Sequence, residues 1–363
     1  MVRTGIMMEF TWNTSAKRTT VEFYSRGEEP EFDQLFTGQW KNPFIVMDSE
    51  VMGLWDSRLQ ASILSSSGIY AMEADEVLKN TFTLSQIWDS MSAAGINRDT
   101  PVVVIGGGLV CDIGALAAST YLRGLRLMLV PTTLLCMVDA CLGGKTGVNM
   151  AGAKNQVGTF FPAERIAICT SFLETLAERE FRSGLAEVIK TSLIGDSGIR
   201  GLLEDLGPVQ DSDPVILEII RRCLRVKGAI VEQDLLELGG RMVLNLGHTA
   251  GHALESVSRF QLSHGEAVGL GMLVEAGIAV SRGGNRKLPG EIQHLLKTAG
   301  LPLGIEREIT GQELEELLKR DKKTRREGRI WALPFDWGDC RLIRLSPEEE
   351  EKVLPGVISL LKV

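Results

Sequence analysis

Apolar residues along this chain fall into two textures. In the first half they come in short unbroken runs: NPFIVMD (42–48), PVVVIGGG (101–108), LRLMLVPTT (125–133) and RIAICT (165–170). Runs of this length, apolar throughout, predict strands buried on both faces of a parallel sheet. They alternate with helix-compatible stretches such as LVCDIGALAASTYLRG, which is the rhythm of βαβ units. From about Glu174 onward the spacing becomes helical, in EREFRSGLAEVIKTSLIGD, DPVILEIIRRCLRVKGAIVEQD and TGQELEELLKRDKK. The small-residue-rich GEAVGLGMLVEAGIAVSRG reads as a buried helix. The pattern predicts an α/β domain over residues 1–176 and an all-helical domain over 177–363, with no internal repeat.

One segment breaks the apolar pattern of the second half. RMVLNLGHTAGHALES (241–256) is largely hydrophobic yet carries Arg241, Asn245, His248, His252 and Glu255. Spaced 4, 3, 4 and 3 apart, these share one face of a continuous helix, although Gly247 and Gly251 weaken the helix and leave room for a loop. A polar stripe inside an apolar segment is costly unless its members are paired or bind something. The chain has four histidines, and three of them, His248, His252 and His264, fall within seventeen residues. Two imidazoles, one carboxylate and an open position are what a catalytic zinc takes. Spacing alone leaves Glu187, Glu255 and Glu266 as candidates for the carboxylate, and the HExxH of zinc proteases is absent.

Composition narrows the function classes. A net charge of −8 and a pI near 5.3 argue against a nucleic-acid binder, while leaving room for local Lys/Arg clusters that bind small anions. No window reaches the roughly 18 apolar residues of a membrane span. The start, MVRTGIMMEFTWNTSAKR, has no secretory h-region, and the pair Met7 and Met8 leaves the initiating residue open. Cysteines 111, 136, 141, 169, 223 and 340 form no CxxC pair and read as buried, reduced thiols of a cytoplasmic enzyme.

Two glycine-rich stretches carry further candidates. Gly106, Gly107 and Gly108 close a strand before a helix, so backbone N–H groups there can approach a phosphate, although GGGLVCD is not the GxGxxG fingerprint. Asp112 and the PTT at 131–133 add weight, because adjacent strand ends are where α/β sheets place ligands. In DACLGGKTGVNMAGAKN (139–155), Lys145, Lys154, Asn149 and Asn155 sit among small residues suited to phosphate or polyol recognition.

Together with YLRG, AKNQVGTFFP, FLETLAEREFRSGLAEVIK, LSHGEAVGLGM and RDKK, these blocks occur in the order found in 3-dehydroquinate synthases, and the chain resembles that family of sugar phosphate cyclases from about residue 40 to 335. The resemblance implies an NAD-binding α/β domain and a helical metal- and substrate-binding domain, with NAD and substrate in the cleft between. It places the family's metal ligands, for zinc or alternatively cobalt, on Glu187, His248 and His264. NAD contacts fall on Asp48, Glu76, Lys79, Gly107, Gly108, Leu109, Val110, Cys111, Asp112, Thr132 and Thr133, and on Phe172, Leu173, Glu174 and Thr175. Asp139, Lys145 and Lys154 line the region where nicotinamide meets substrate. Substrate contacts fall on Asn155, Lys190, Lys227, Arg241, Asn245, His252, Lys322 and Lys323, with Lys145 shared and Arg123 reaching the other subunit's site in a homodimer. His252, Lys145, Asp139, Lys190 and Asn245 carry the catalytic roles.

The implied substrate, 3-deoxy-D-arabino-heptulosonate 7-phosphate, bears a carboxylate, hydroxyls and a phosphate, which explains so many Lys and Arg. The implied reaction oxidises the C5 hydroxyl with NAD, eliminates phosphate, returns the hydride, opens the ring and closes a carbocycle by an aldol step. This chain departs from the family pattern at Cys111, where a glycine is usual and a side chain would crowd the pyrophosphate. It departs also at Asp75, at Leu235 and at Cys169. Three rivals stand beside this reading: an inosose- or valiolone-forming cyclase, a metal- and NAD-dependent polyol dehydrogenase, and a nucleotide-binding relative without catalysis.

Overall fold

The computed structural model describes residues 8–14, 17–27, 32–205, 213–258, 261–305 and 328–361. The chain divides into two compact units. One holds Met1–Ala177 with the short return Val231–Leu236, and the other holds Glu178–Ile230 with Glu237–Val363.

The first unit is built on a seven-stranded sheet in the order β1-β2-β9-β6-β5-β3-β4. Its strands are β1 (Met8–Asn13), β2 (Arg18–Tyr24), β3 (Phe44–Asp48), β4 (Gly68–Met72), β5 (Val102–Gly106), β6 (Leu127–Pro131) and β9 (Arg165–Cys169). The four apolar runs became β3, β5, β6 and β9, in which every residue but Arg165 is buried. All pairings are parallel except β1 with β2, which form an antiparallel hairpin on the edge. That hairpin lies among the first forty residues, where the sequence pattern predicted no element. Arg165 at the start of β9 forms an ion pair with Glu22 of β2 at 2.5 Å. Glu22 also accepts from the Tyr24 hydroxyl at 2.6 Å, so this edge is joined by side chains as well as by the ladder.

Helices α1 (Phe32–Leu35), α2 (Ser49–Leu54), α3 (Asp56–Leu64), α4 (Thr81–Ala93) and α5 (Gly108–Thr120) connect these strands. A small antiparallel pair, β7 (Val148–Met150) and β8 (Ala153–Val157), carries the second glycine-rich stretch. The chain runs from β3 outward to β4 and then crosses back to β5 on the other side of β3. The strand order therefore reverses between β3 and β5, and open α/β sheets bind ligands beyond the carboxyl ends of strands at such a point. Asp48 and Gly106–Gly108 occupy those ends.

The second unit contains α6 (Glu178–Ile194), α7 (Gly198–Asp205), α8 (Asp213–Gln233, whose last residues group with the first unit), α9 (His248–Val257), α10 (His264–Ser281) and α11 (Leu288–Thr298). Among the described residues, helix α12 (Pro347–Val357) is the last long helix of this unit. α10 is buried along nearly its whole length, with a polar start capped reciprocally by Ser263 and Glu266. The unit is not all-helical. β10 (Arg329–Asp336) and β11 (Asp339–Leu345) form an antiparallel hairpin turning at Gly338, with φ of 75°. Its inward Trp331 is fully buried, and the indole N–H donates to Glu350 of α12 at 2.7 Å. All six cysteines are free thiols, five of them buried, with Cys340 half-buried.

Candidate active site

At the reversal point of the sheet, Asp48 caps α2, accepting from the Glu50 N–H at 3.0 Å, and burial pushes its carboxyl upward. Gly107 is the N-cap of α5 and offers no side chain, so the first N–H groups of the helix, from Gly108 through Leu109 and Val110, have no side-chain cap. This is the arrangement that suits a pyrophosphate. Thr132 and Thr133 follow β6 directly alongside: the Thr132 N–H donates to the Gly106 carbonyl at 3.1 Å, and a Cβ on Gly107 would sit 3.0 Å from Thr133 Cγ2. The Cys111 thiol is buried, 3.5 Å from the Gly106 carbonyl oxygen and 3.7 Å from Cys136 Sγ. It is thus packed inward beneath the turn. Asp75, another departure from the family pattern, caps the turn that follows it, accepting from the Val77 N–H at 2.8 Å.

Five polar residues form one network here. The buried Lys79 Nζ lies 2.6 Å from Asp112 Oδ2 and 2.7 Å from Asn155 Oδ1. Asn149 donates to Glu76 Oε1 at 2.8 Å and accepts from the Asn155 N–H at 2.9 Å. Glu76 and Lys79 are thus brought together with Asp112 and Asn155, both distant from them in sequence, with Asn149 as the connecting residue.

The remaining candidates of this unit are more scattered. Phe172 and Thr175 meet Trp55, whose ring lies 4.8 Å from that of Phe172 and whose N–H reaches Thr175 at 2.9 Å. Leu173 and Glu174 complete the same turn, and Glu174 pairs with Arg26 at 2.6 Å. Asp139 lies in a wide i→i+5 helical turn, Cys136–Ala140, and Lys145 bridges to Phe160. Lys154 lies on the exposed β8. Arg123 is in the turn after α5, with φ of 68°, at the opposite end of that 13-residue helix from Gly108. At 1.5 Å rise per residue, that separation is about 20 Å.

The second unit gathers the candidate metal ligands. The five-residue stripe does not lie on one continuous helix. A 3-10 turn, Gly240–Asn245, carries Arg241 and Asn245, and α9 begins afresh at His248. The break is at Gly247, whose φ of 80° is left-handed and where a Cβ would come within 2.7 Å of the Val268 carbonyl oxygen. The kink brings His248 towards the start of α10, and the ring centroids of His248 and His264 are 5.1 Å apart.

Glu187 of α6, fully buried, completes the group. Its Oε1 lies 3.2 Å from His264 Nε2 and 3.8 Å from His248 Nε2. Among the described residues, donor atoms of Glu187, His248 and His264 all fall within 4.8 Å of one another. The other two carboxylates are placed differently. Glu266 is engaged by Arg179 at 2.7 Å and by the Ser263 N–H at 2.7 Å. Glu255 sits on the far ring nitrogen of His264, 3.8 Å from Nδ1.

Electrostatics separate the two histidines. Burial, reinforced by the nearby Lys190 charge, pushes His248 down to about 3, so its ring is neutral. Its Nδ1 faces the Leu246 carbonyl at 3.1 Å, which puts the proton there and leaves the Nε2 lone pair facing Glu187. Burial also works against a charged His264, but the hydrogen bonds and charges of Glu187 and Glu255 outweigh it and hold the ring up at about 9. Lys190, one turn on from Glu187, forms a buried ion pair with it at 2.5 Å.

His252 lies one turn beyond His248, with ring centroids 5.6 Å apart and edge to face. Arg241 is 1% exposed and Lys227 of α8 is buried too. Asn245 donates to Glu237 at 3.2 Å. Glu237 was not among the sequence candidates, and its φ of 57°, unusual for a non-glycine residue, is a structural signal invisible in composition. Lys322 and Lys323 lie outside the described residues.

Residues 69–183 match the family model for the 3-dehydroquinate synthase N-terminal domain, and residues 184–324 match that for its C-terminal domain. A 3-dehydroquinate synthase of Pelobacter propionicus is 37% identical over 314 residues, covering 84% of this chain and 87% of that protein. A 2-epi-5-epi-valiolone synthase from Streptomyces hygroscopicus subsp. jinggangensis, solved with NAD+ and Zn2+ bound, superposes with a TM-score of 0.82 at 28% identity over 96% of this chain and 98% of its own. A 2-deoxy-scyllo-inosose synthase shares the fold, with a TM-score of 0.83 at 22% identity over 96% of this chain and 100% of its own. By its sequence relatives and by both matching domains, this chain belongs to the 3-dehydroquinate synthase family.

Proposed function

We propose that this protein is a 3-dehydroquinate synthase, converting 3-deoxy-D-arabino-heptulosonate 7-phosphate to 3-dehydroquinate and phosphate with catalytic NAD and a divalent metal, in the shikimate route to aromatic amino acids. The observation that carries the metal dependence is the cluster of Glu187, His248 and His264. A buried carboxylate and two imidazoles, one already neutral with its lone pair fixed, make a donor set that fits zinc or cobalt. When bound, the metal would supply Lewis acidity to a substrate hydroxyl, and NAD would accept a hydride from the substrate and later return it.

The chain's own groups take the remaining roles. Lys190 places a positive charge beside Glu187, where an alkoxide or enolate oxygen is stabilised. Arg241 and Lys227, cations held out of solvent, suit the substrate's carboxylate and phosphate. His252, next along the helix from a ligand, handles a proton, and Asn245 orients a hydroxyl. In the first unit, the Gly107 turn and the Lys79–Asp112–Asn155 network receive NAD and part of the substrate. Asp139, Lys145 and Lys154 serve the nicotinamide end. The reading includes a cytoplasmic homodimer in which Arg123 serves the other subunit's site; no described helix is long and apolar enough to cross a membrane.

The test follows phosphate release from 3-deoxy-D-arabino-heptulosonate 7-phosphate with catalytic NAD, with and without chelator, while recording NADH absorbance. Stoichiometric phosphate without NADH accumulation, lost on chelation and in His264→Ala, is the expected result. A folded, metal-loaded protein that releases no phosphate from this substrate sinks the reading. Turnover of sedoheptulose 7-phosphate in its place moves the protein to a valiolone-type cyclase, and steady NADH from a polyol moves it to a dehydrogenase.

A further inference from the structure

Beyond its polar first turn, α10 is apolar and buried, and the one carboxylate in its middle, Glu275, is itself wholly buried. Among the described residues its partners are backbone N–H groups, not cations. Glu275 Oε2 accepts from the Gly247 N–H at 2.5 Å, and Oε1 accepts from the Ala250 N–H at 3.3 Å. These are donors of the N-terminal turn of α9, whose first residue is His248. Helix starts are usually capped by the side chain of the N-cap residue. Here the N-cap is Gly247, which has no side chain and whose left-handed φ, together with the Val268 carbonyl 2.7 Å from a would-be Cβ, leaves room for none.

The cap therefore comes from another helix. Helical side chains lean towards the helix N-terminus, so Glu275 reaches back over Gly271, four residues earlier. At Gly271 a Cβ would stand 1.9 Å from the Gly247 carbonyl oxygen. The Gly271–Glu275 pair thus makes a socket: the glycine admits the backbone at the α9 start, and the carboxylate holds its N–H groups. α10 itself opens with His264. One carboxylate consequently ties the helix that begins with His248 to the helix that begins with His264.

We propose that Glu275 is a positioning residue for the metal centre, fixing the separation of His248 and His264 by capping α9 from α10. The proposal rests on the metal-site reading above. Outer partners of metal ligands typically contribute about 10–100-fold in affinity.

The experiment measures Co(II) affinity by chelator competition, and the visible d–d spectrum, for wild type, His264→Ala, Glu275→Gln, Glu275→Asp and Glu350→Gln. Glu350→Gln alters a comparably buried carboxylate, one that bonds Trp331 and Arg329 of β10, and so reports simple loss of stability. The expected result is a Co(II) Kd raised about 10–100-fold with an altered spectrum in Glu275→Gln. Glu275→Asp, which keeps the carboxyl group one methylene short, should fall between it and wild type and stands in if the glutamine variant does not fold. Glu350→Gln should bind Co(II) as wild type does while melting lower. Glu275 variants within about twofold of wild-type affinity, with the wild-type spectrum, overturn the proposal. A wild type whose Co(II) binding is absent, or is untouched by His264→Ala, overturns the metal site itself and this inference with it, and that result is read without any Glu275 variant.

Discussion

The two histidines of the cluster carry different proton loads, and this fixes how metal binding depends on pH. In the metal-free protein His248 is pushed down to about 3 and is neutral throughout the usual range. His264, held up at about 9 against burial by Glu187 and Glu255, is protonated at neutral pH. A metal takes only the neutral ring, so binding must expel the His264 proton and none from His248. The sign follows. Affinity rises with pH while the free site is still protonated, and levels off once pH passes the His264 pKa. One proton per metal means about tenfold, or about 1.4 kcal/mol, for each pH unit. The His264 side chain is 38% exposed, so solvent screens part of the carboxylate effect, and the full slope is expected from about 6.5, its ordinary value, to about pH 8. Calorimetric titration with Zn2+ at about pH 7.5, in buffers of different ionisation enthalpy, counts the protons directly. Close to one proton per metal is expected, falling towards zero in His264→Ala as affinity also drops. A wild-type count near zero, with an affinity flat between pH 6.5 and 8, would refute the electrostatic assignment of the pair.

Three further outcomes follow from the packing. Gly271→Ala puts a methyl 1.9 Å from the Gly247 carbonyl oxygen, and should lower stability in urea by about 1–3 kcal/mol or more while loosening metal binding. Arg165→Met strands the Glu22 carboxylate between β2 and β9, and should cost about 3 kcal/mol in a thermal or urea melt, with Glu22→Gln on the same background recovering part of it. Lys79→Ala removes the charge that joins Asp112 to Asn155, and should weaken NAD binding by about tenfold in a calorimetric titration, leaving the metal affinity of the second unit unchanged.

How much of this was legible in the sequence depended on whether a residue's surroundings are local. β3, β5, β6 and β9 were readable because both faces are buried and the run is apolar without interruption. β2 has a mixed pattern, with Thr19 and Glu22 buried through bonds to distant residues, so its polar letters disguised a core strand. The hairpin β10–β11 was hidden for another reason: IWALPF lies in a region of helical texture, and its alternation is blurred by four consecutive buried residues, Trp331 to Pro334. At the metal cluster, composition narrowed the ligands to three histidines and three carboxylates. The family resemblance pointed to Glu187, and the fold supplies a geometric reason: Glu187 faces two imidazoles, whereas Glu266 is engaged by Arg179 and Glu255 lies behind His264. Glu275 did leave a trace, as the lone charge in GLGMLVEAGIAV, but its partners are backbone groups and nothing in the letters identifies those.

The edge of the first unit's sheet has a temporal consequence. β2 has two neighbours in the sheet, the adjoining β1 and the distant β9, and the Thr19 hydroxyl bond to Ala163 spans 144 residues. Synthesis at about 5–20 residues per second leaves roughly 7–30 s between the emergence of β2 and that of its partner. During that interval the hairpin has no sheet to join, and Phe23, fully buried in the finished protein, has no core to enter. This segment, made well before its partner, is therefore seated late, and the high contact order of its pairing makes docking of this edge the natural slow step in folding of the unit.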